Sequence, residues 1–357
     1  MRKGIAAAGC AAFVLTTAAA CGTTTSLSAG AKVQQALDGL GEQKSVTLSV
    51  GFDGNQQQIW TALKGSDGFT QDYAKLLADF DVSMSVSADK PLKDIKDTKT
   101  DPASVALRVS LGQGKDLLEV RSLAGKQVYL RADLRQFLTL ADGLATKEDK
   151  ADLQQFRQML DAADKLPSSL KSVKDAVGGK WVSVDVKSFE EFSKSMAKEG
   201  GSPLPDTSAL DPKTAEQVTK ALREAVEHNA KFTDAGSKDG ADHVKVTLPA
   251  GKTADALAEA LKPVADQLPD GFSTADLQSV PDKDVSVDVA VKDGALSGIT
   301  LDLDQFDTGN EIQGALPLTV GFAPDAQPVA APAGATPLNP QDIMGAVMQL
   351  MAGGMAA

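Results

Sequence analysis

Residues 285–303 read VSVDVAVKDGALSGITLDL and decide the fold class of this chain. Before the central turn, valine fills every second position from 285 to 291, and after it large apolar residues return from Leu296 to Leu303. This period of two is typical of strands with one buried face. Asp293-Gly294 lies between the two runs and supplies the positive φ angles that a tight hairpin needs. The stretch therefore predicts two antiparallel strands.

The same alternation recurs along the whole chain, and several runs are joined by short turns such as residues 124–126. The further runs are Val46–Val50, Val82–Val86, Val105–Val109, Leu118–Val120, Val128–Leu130, Val182–Val186 and Val244–Leu248. Helical spacing fills blocks between them, beginning near Ile59, Thr146, Ser188, Asp211 and Thr253. The pattern predicts an α+β fold with a large, curved antiparallel sheet and helices on one face.

The N-terminus MRKGIAAAGCAAFVLTTAAAC indicates export. It has a basic start, an apolar run too short to span a membrane and small residues before Cys21. The small-residue run that ends in cysteine is similar to a lipobox, so Cys21 is the predicted lipid-attachment residue. The position three before it is Ala18 rather than the usual leucine, and this leaves cleavage at an Ala-x-Ala site as the alternative.

Composition excludes several classes of function. Cys10 lies in the signal segment, so the exported chain keeps Cys21 as its one thiol and has no disulfide framework or cysteine-rich metal site. A formal net charge of -12 argues against nucleic-acid binding. No later apolar run approaches the ~20 residues of a transmembrane helix. We therefore expect an exported protein held at the outer face of the cell membrane by its N-terminal lipid.

Four stretches of this chain resemble the LppX/LprG lipoproteins. They follow the lipobox-like Cys21 and read KSVTLSV from Lys44, LLEVRSLAGKQVYLRADL from Leu117, GGKWVSVDV from Gly178 and the closing hairpin quoted above. The resemblance implies a LolA/LolB-type half-barrel, an unclosed antiparallel sheet whose concave face is covered by helices around an apolar cavity. It also implies that the protein binds or carries a lipid or glycolipid in the cell envelope.

The predicted cavity lining combines alternating strand residues with one helix face. The nine residues are Val46, Leu48, Val82, Met84, Val105, Leu107, Leu153, Phe156 and Leu160. The same residues would also fill an ordinary packed core, because protein interiors reach crystal-like density. An anchored structural or protein-interaction lipoprotein without a small ligand is therefore the alternative function.

The sequence contains no recognisable set of catalytic residues. His228 ends a predicted helix and His243 opens a predicted strand, and no nucleophile elbow, zinc motif or nucleotide-binding loop is present. We expect no enzyme activity, no cofactor and no metal site.

The C-terminal part has its own character. Residues 323–339 are rich in proline and alanine and predict an extended linker. Asn339 and Pro340 then open a methionine-rich helix whose apolar stripe is formed by Ile343, Met344, Val347, Met348, Leu350, Met351 and Met355. This stripe could dock on the protein's own body, plug the cavity, bind a protein partner or touch membrane, and self-docking through Met344, Val347, Met348 and Met351 is the prediction.

These observations divide the chain into five segments. They are a signal peptide (1–20), a lipidated tether (21–30), a half-barrel lipoprotein domain (31–322), the linker (323–339) and the C-terminal helix (340–357).

Overall fold

The computed structural model describes residues 27–95, 101–112, 116–124, 127–145, 149–189, 191–192, 212–267, 277, 280–307 and 311–354. The chain divides into two compact units. The first unit comprises Met1–Gln43, Pro91–Asp97 and Asp206–Gln305, and the second comprises Lys44–Lys90, Thr98–Pro205 and Phe306–Ala357.

The α-helices are α1 (Ala29–Glu42), α2 (Gln56–Leu63), α3 (Gln71–Asp79), α4 (Leu134–Leu144), α5 (Asp149–Ala163), α6 (Lys171–Val177), α7 (Pro212–Asn229), α8 (Ala250–Leu261) and α9 (Pro340–Gly354). The strands are β1 (Ser45–Phe52), β2 (Phe80–Ser87), β3 (Ser104–Leu111), β4 (Asp116–Leu123), β5 (Gln127–Ala132), β6 (Val182–Asp185), β7 (Lys231–Lys238), β8 (Ala241–Pro249), β9 (Asp284–Lys292), β10 (Ala295–Asp302), β11 (Pro317–Pro324) and β12 (Thr336–Pro337). Short 3₁₀ turns lie at Leu92–Asp94, Ser168–Leu170, Lys262–Gln267 and Leu303–Phe306.

The first unit contains four antiparallel strands in the order β10, β9, β8, β7. Asp293 and Gly294 join β9 to β10 with φ angles of 52° and 78°, which confirms the predicted hairpin. Helix α1 packs against these strands and buries Val33 and Ala36. Helices α7 and α8 pack on each other around Leu261.

The second unit contains eight strands in the order β12, β6, β5, β4, β3, β2, β1, β11. All neighbours are antiparallel except the short pair β6 and β12. The register pairs Leu48 with Met84 and Met84 with Leu107. Because directly paired residues point to the same side of a sheet, this register aligns the alternating apolar positions across neighbouring strands.

Two groups of helices belong to the second unit. Helices α2 and α3 fill the connection from β1 to β2, and Asn55 and Gln58 form a capping box that starts α2. Helices α5, α6 and α9 pack together around a small core of Ala163, Leu166 and Ala346.

The predicted fold class is confirmed as α+β with a large, mostly antiparallel sheet that does not close. Three strands and three helices of the described chain were not predicted from the pattern, namely β7, β11, β12, α1, α4 and α6. Every residue of β7 is exposed, so no buried face imposes alternation on its sequence. Helix α1 extends across the predicted boundary between the tether and the domain at residue 31.

The C-terminal helix starts at Pro340, as predicted, and docks on α5 and α6 of its own unit. The prediction of which face docks is wrong. Ala346 is the buried contact, with 2% of its surface exposed, whereas Met344, Val347 and Met348 are 37%, 42% and 67% exposed. Small residues decide the contact because they let two helices approach closely.

No helix in the described part of the chain has the length and apolarity that crossing a membrane requires.

Candidate functional site: the two faces of one sheet

The six predicted strand residues lie on one face of the second unit's sheet. Leu48 pairs with Met84, which pairs with Leu107, and Val46 is linked to Val105 through Val86 in the same way. The partners of Val82 continue the pattern on the same side. The structure therefore brings these six residues together.

The apolar row extends well beyond the predicted residues. Leu107 pairs with Val120, Val120 with Leu130 and Leu130 with Val182, so the row crosses five strands from β2 to β6. We call this surface the apolar face. Its members are Val46, Leu48, Val50, Val82, Met84, Val86, Val105, Leu107, Val109, Leu118, Val120, Val128, Leu130, Val182 and Val184.

The apolar face is only partly covered. Val46 and Val182 are buried, with 5% and 1% of their surfaces exposed. Val50 and Leu107 remain 36% and 38% exposed, and the other members are half-buried. A contiguous apolar surface that stays partly accessible to water is unusual in a soluble domain and indicates a place for an apolar ligand or partner.

The three predicted helix residues belong to a different neighbourhood. They lie on α5, whose main packing partners are α4, α6 and α9. Leu160 is buried there, Leu153 is half-buried and Phe156 is 37% exposed. The structure therefore groups them with other helices rather than with the six strand residues.

The opposite face of the same strands is polar and centres on Glu119. Ser83 pairs with Arg108, Arg108 with Glu119 and Glu119 with Arg131 across β2 to β5. Only 2% of the Glu119 side chain is exposed. Both of its carboxylate oxygens accept hydrogen bonds, one from Arg121 Nε at 2.8 Å and the other from Arg131 at 3.0 Å.

The ring of Trp181 packs against two arginines of this polar face. The guanidinium carbons of Arg121 and Arg131 lie 4.8 and 5.2 Å from the centre of its ring, within cation–π range. Asp116 accepts a further hydrogen bond from Arg131 at 2.6 Å. We call Arg108, Asp116, Glu119, Arg121 and Arg131 the arginine network. In the sequence, this network is indicated only by the acidic and basic residues Glu119, Arg121 and Arg131, which occupy alternate positions in the strands of the 117–134 hairpin.

Residues 325–339, which we call the strap, run over this polar face. Arg121 donates to the carbonyl of Ala330 at 2.9 Å, and the Val329 amide donates to Ser87 Oγ at 2.9 Å. The strap then pairs with β6, where the Leu338 amide donates to the Ser183 carbonyl at 2.8 Å. The segment predicted as an extended linker therefore contacts the sheet at Val329, at Ala330 and from Thr336 to Leu338.

A cavity of about 330 Å³ lies between the strap and the polar face. It is lined by Thr47, Ser83, Ser85, Ala106, Arg108, Glu119, Arg121 and residues 327–330 of the strap. A second cavity, of about 270 Å³, lies beside α3 and α4 and has four leucines in its wall. Neither of these two cavities is lined by any of the nine predicted residues.

The two histidines, His228 and His243, lie on α7 and β8. His243 Nδ1 lies 2.5 Å from Asp288, and His228 Nδ1 lies 2.7 Å from the carbonyl of Glu224. Both contacts are local to their own strand pair or helix. Among the described residues, no three histidine, cysteine or acidic side chains come close enough to hold a metal ion. Cys21 lies outside the described residues.

No known protein-family description matches the chain, and no curated protein matches it either. Among solved structures, the chain is similar to LprF from Mycobacterium bovis, with 13% identity and a TM-score of 0.32 over 86% of this chain and 97% of that one. It is also similar to the lipoprotein LppX from Mycobacterium tuberculosis, with 11% identity and a TM-score of 0.29 over 85% and 98% of the two chains. Each of the two likenesses extends over most of both chains at low identity.

Proposed function

We propose that this protein is an exported, membrane-anchored lipoprotein that binds a lipid or glycolipid on the apolar face of its second unit. The observation that carries the proposal is the exposure of that face. Fifteen apolar side chains from the six neighbouring strands β1 to β6 share one side of the sheet, yet Val50 and Leu107 on this face stay more than a third exposed.

The energetics favour an acyl chain as the ligand. Each methylene that leaves water contributes about 0.8 kcal/mol, so about ten methylenes contribute about 8 kcal/mol before the cost of immobilising the chain. A row of valine, leucine and methionine side chains offers no hydrogen bonds to a polar molecule. An extended hydrocarbon matches a surface of this chemistry.

Mass spectrometry of organic extracts tests the proposal. The full chain is produced with Cys21→Ser, so that any lipid found is bound non-covalently. We expect a lipid in the extract of this protein and its loss from a second variant that adds Leu107→Lys, because an ammonium group at the centre of the apolar face would have to leave water when the acyl chain binds.

Phe156→Lys is the matched control. Phe156 is 37% exposed and Leu107 is 38% exposed, but Phe156 lies on α5 and outside the apolar face. Lipid should co-purify with the control variant as it does with its parent. Extracts free of lipid from the parent protein would favour the structural or protein-interaction alternative instead.

The anchor is tested separately from the ligand. Lipid on Cys21 would hold the protein at the membrane, since two or more acyl chains retain a protein far longer than one. Fractionation of cells that express Cys21→Ser should find the protein in the medium or as an unprocessed precursor. Membrane retention equal to that of the native chain would overturn the anchor and favour the alternative cleavage site.

A further inference from the structure

We propose a second ligand site in this protein, for a phosphate-type oxyanion, in the cavity between the strap and the arginine network. This site lies on the polar face and is separate from the apolar face on which the proposed lipid binds. The chemistry that it would recognise is a phosphate group, either free or carried on an organic molecule.

The arginines of the network differ in how closely carboxylates hold them. Two arginines are matched by carboxylates within hydrogen-bond distance, because Glu119 accepts from Arg121 and Arg131, and Asp116 accepts from Arg131. Arg108 is the third arginine of the group. Asp81 also interacts electrostatically with Arg108, so three acids balance the three arginines, and what sets Arg108 apart is that Asp116 and Glu119 lie 3.8 and 3.7 Å from it.

Arg108 is the residue placed to bind. Its nitrogens lie 3.7 Å from Glu119 and 3.8 Å from Asp116, both longer than a hydrogen bond, and 48% of its side chain is exposed. A guanidinium group presents its N–H donors in a planar fork that fits two oxygens of a phosphate. The N–H donors of Arg108 therefore remain able to bind a ligand, whereas Arg121 and Arg131 already donate to carboxylates.

Apart from Glu119, whose carboxylate is bonded to Arg121 and Arg131, the rest of the cavity wall suits the same ligand. Ser83 is the direct strand neighbour of Arg108 and lines the cavity beside it. Thr47 and Ser85, which are bonded to each other at 2.7 Å, add hydroxyl groups to the wall. Hydroxyls donate to oxyanions and accept from sugar or glycerol hydroxyls, so the wall fits both parts of a phosphorylated polar molecule. A volume of about 330 Å³ accommodates more than phosphate alone.

Isothermal titration calorimetry of the full chain in phosphate-free buffer tests the site. The two probes are inorganic phosphate and glycerol 3-phosphate. We expect saturable binding that Arg108→Met weakens about tenfold or more, since hydrogen bonds to charged groups are of the strength that such a change removes. Ser83→Ala, which removes one hydroxyl next to Arg108, should weaken binding by a smaller factor.

Arg157→Met is the matched control. Arg157 lies on α5, is 44% exposed and has its nearest acid, Asp142, at 3.7 Å, so it resembles Arg108 in exposure and in loose pairing. Its substitution should leave the affinity unchanged. Tighter binding of glycerol 3-phosphate would identify a phosphorylated head group as the ligand, and equal binding would identify free phosphate. No heat from either probe, or equal weakening by Arg108→Met and Arg157→Met, would overturn the proposal.

Discussion

The two faces of the second unit's sheet reverse the usual arrangement of a soluble protein. On the polar face, Glu119 is 2% exposed and held by arginines. On the apolar face of the neighbouring strand, Leu107 is 38% exposed. Folding normally buries leucine and leaves glutamate in water. The difference teaches that a buried ion network helps to hold the polar face together, while part of the apolar face stays accessible, as the proposed lipid site requires.

The largest effect should come from breaking the polar face at its centre. Glu119→Ala removes the carboxylate that accepts from both Arg121 and Arg131, so part-buried Arg121 loses its ion pair while Arg131 keeps only Asp116. Breaking a buried ion pair in this way costs about 3 kcal/mol or more. Chemical denaturation of the full chain would measure the lost free energy of unfolding.

Glu259→Ala is the control for that measurement. Glu259 pairs with Lys262 on an exposed helix surface, where it is 73% exposed, and such pairs contribute about 0–1 kcal/mol. Equal losses from the two substitutions would mean that burial of Glu119 has no special structural weight, and the contrast between the faces would fail.

The next effect concerns the helix that follows the strap. Ala346→Leu adds three carbons to the small core that α9 shares with Ala163 and Leu166, and overpacking of this kind costs about 1–3 kcal/mol. We expect faster proteolytic cleavage within the strap, because α9 no longer holds its far end. Val347→Leu, one position along the helix and 42% exposed, should leave the cleavage rate unchanged. Cleavage accelerated equally by both would show that the methionine stripe, rather than Ala346, makes the contact.

A smaller and pH-dependent effect should come from Asp175, which ties the strap to α6. Asp175 is 4% exposed and accepts hydrogen bonds from Lys171, from Lys180 at 3.0 Å and from Thr336 of the strap at 2.8 Å. The Lys171 contact is the main cause that holds the pKa of Asp175 well below its usual range. A carboxyl with a depressed pKa in the folded state stabilises the fold fully above its unfolded pKa of 3.8, and this contribution is lost progressively as pH falls from 3.8 through the lower pKa of the folded state.

Asp175→Asn should therefore cost about 1–2 kcal/mol at neutral pH, and this cost should shrink as pH falls below 3.8. The measurement is the free energy of unfolding of both proteins between pH 7 and pH 2. Asp161→Asn serves as the control, since Asp161 bonds Arg135 on the surface and is 59% exposed. A constant difference between Asp175→Asn and the native protein across this range would contradict the assignment.

The sequence predicted which residues share one side of the sheet better than it predicted what packs against that side. The strand alternation placed Leu48, Met84 and Leu107 on one side, because a side-chain period of two leaves no other register for a half-buried strand. The Asp293-Gly294 hairpin and the start of α9 at Pro340 were also predictable, since both depend on residues adjacent in the chain.

What the sequence could not supply depends on distant contacts. The strap crosses the polar face through Arg121 and Ala330, which are 209 residues apart, and no local pattern encodes such a pairing. Helix α5 has an apolar side, as predicted, but periodicity does not say which neighbour that side meets. Leu160 therefore became buried among helices instead of facing the strands. The exposure of Leu107 is a property of the assembled unit and has no signal in the strand itself.

The smallest effect, and the one that most sharpens the comparison, should come from Leu107→Ala. A leucine that is 38% exposed loses little burial when it is truncated, so we expect a cost below about 1 kcal/mol in lipid-free protein. Leu160→Ala removes the same atoms from a site that is 2% exposed and should cost about 2–5 kcal/mol. Added lipid should then raise the melting temperature of the native protein more than that of Leu107→Ala, because a ligand stabilises the folded state according to its affinity. If the two leucines cost the same amount and lipid stabilises neither protein, the apolar face is an ordinary core surface and carries no ligand.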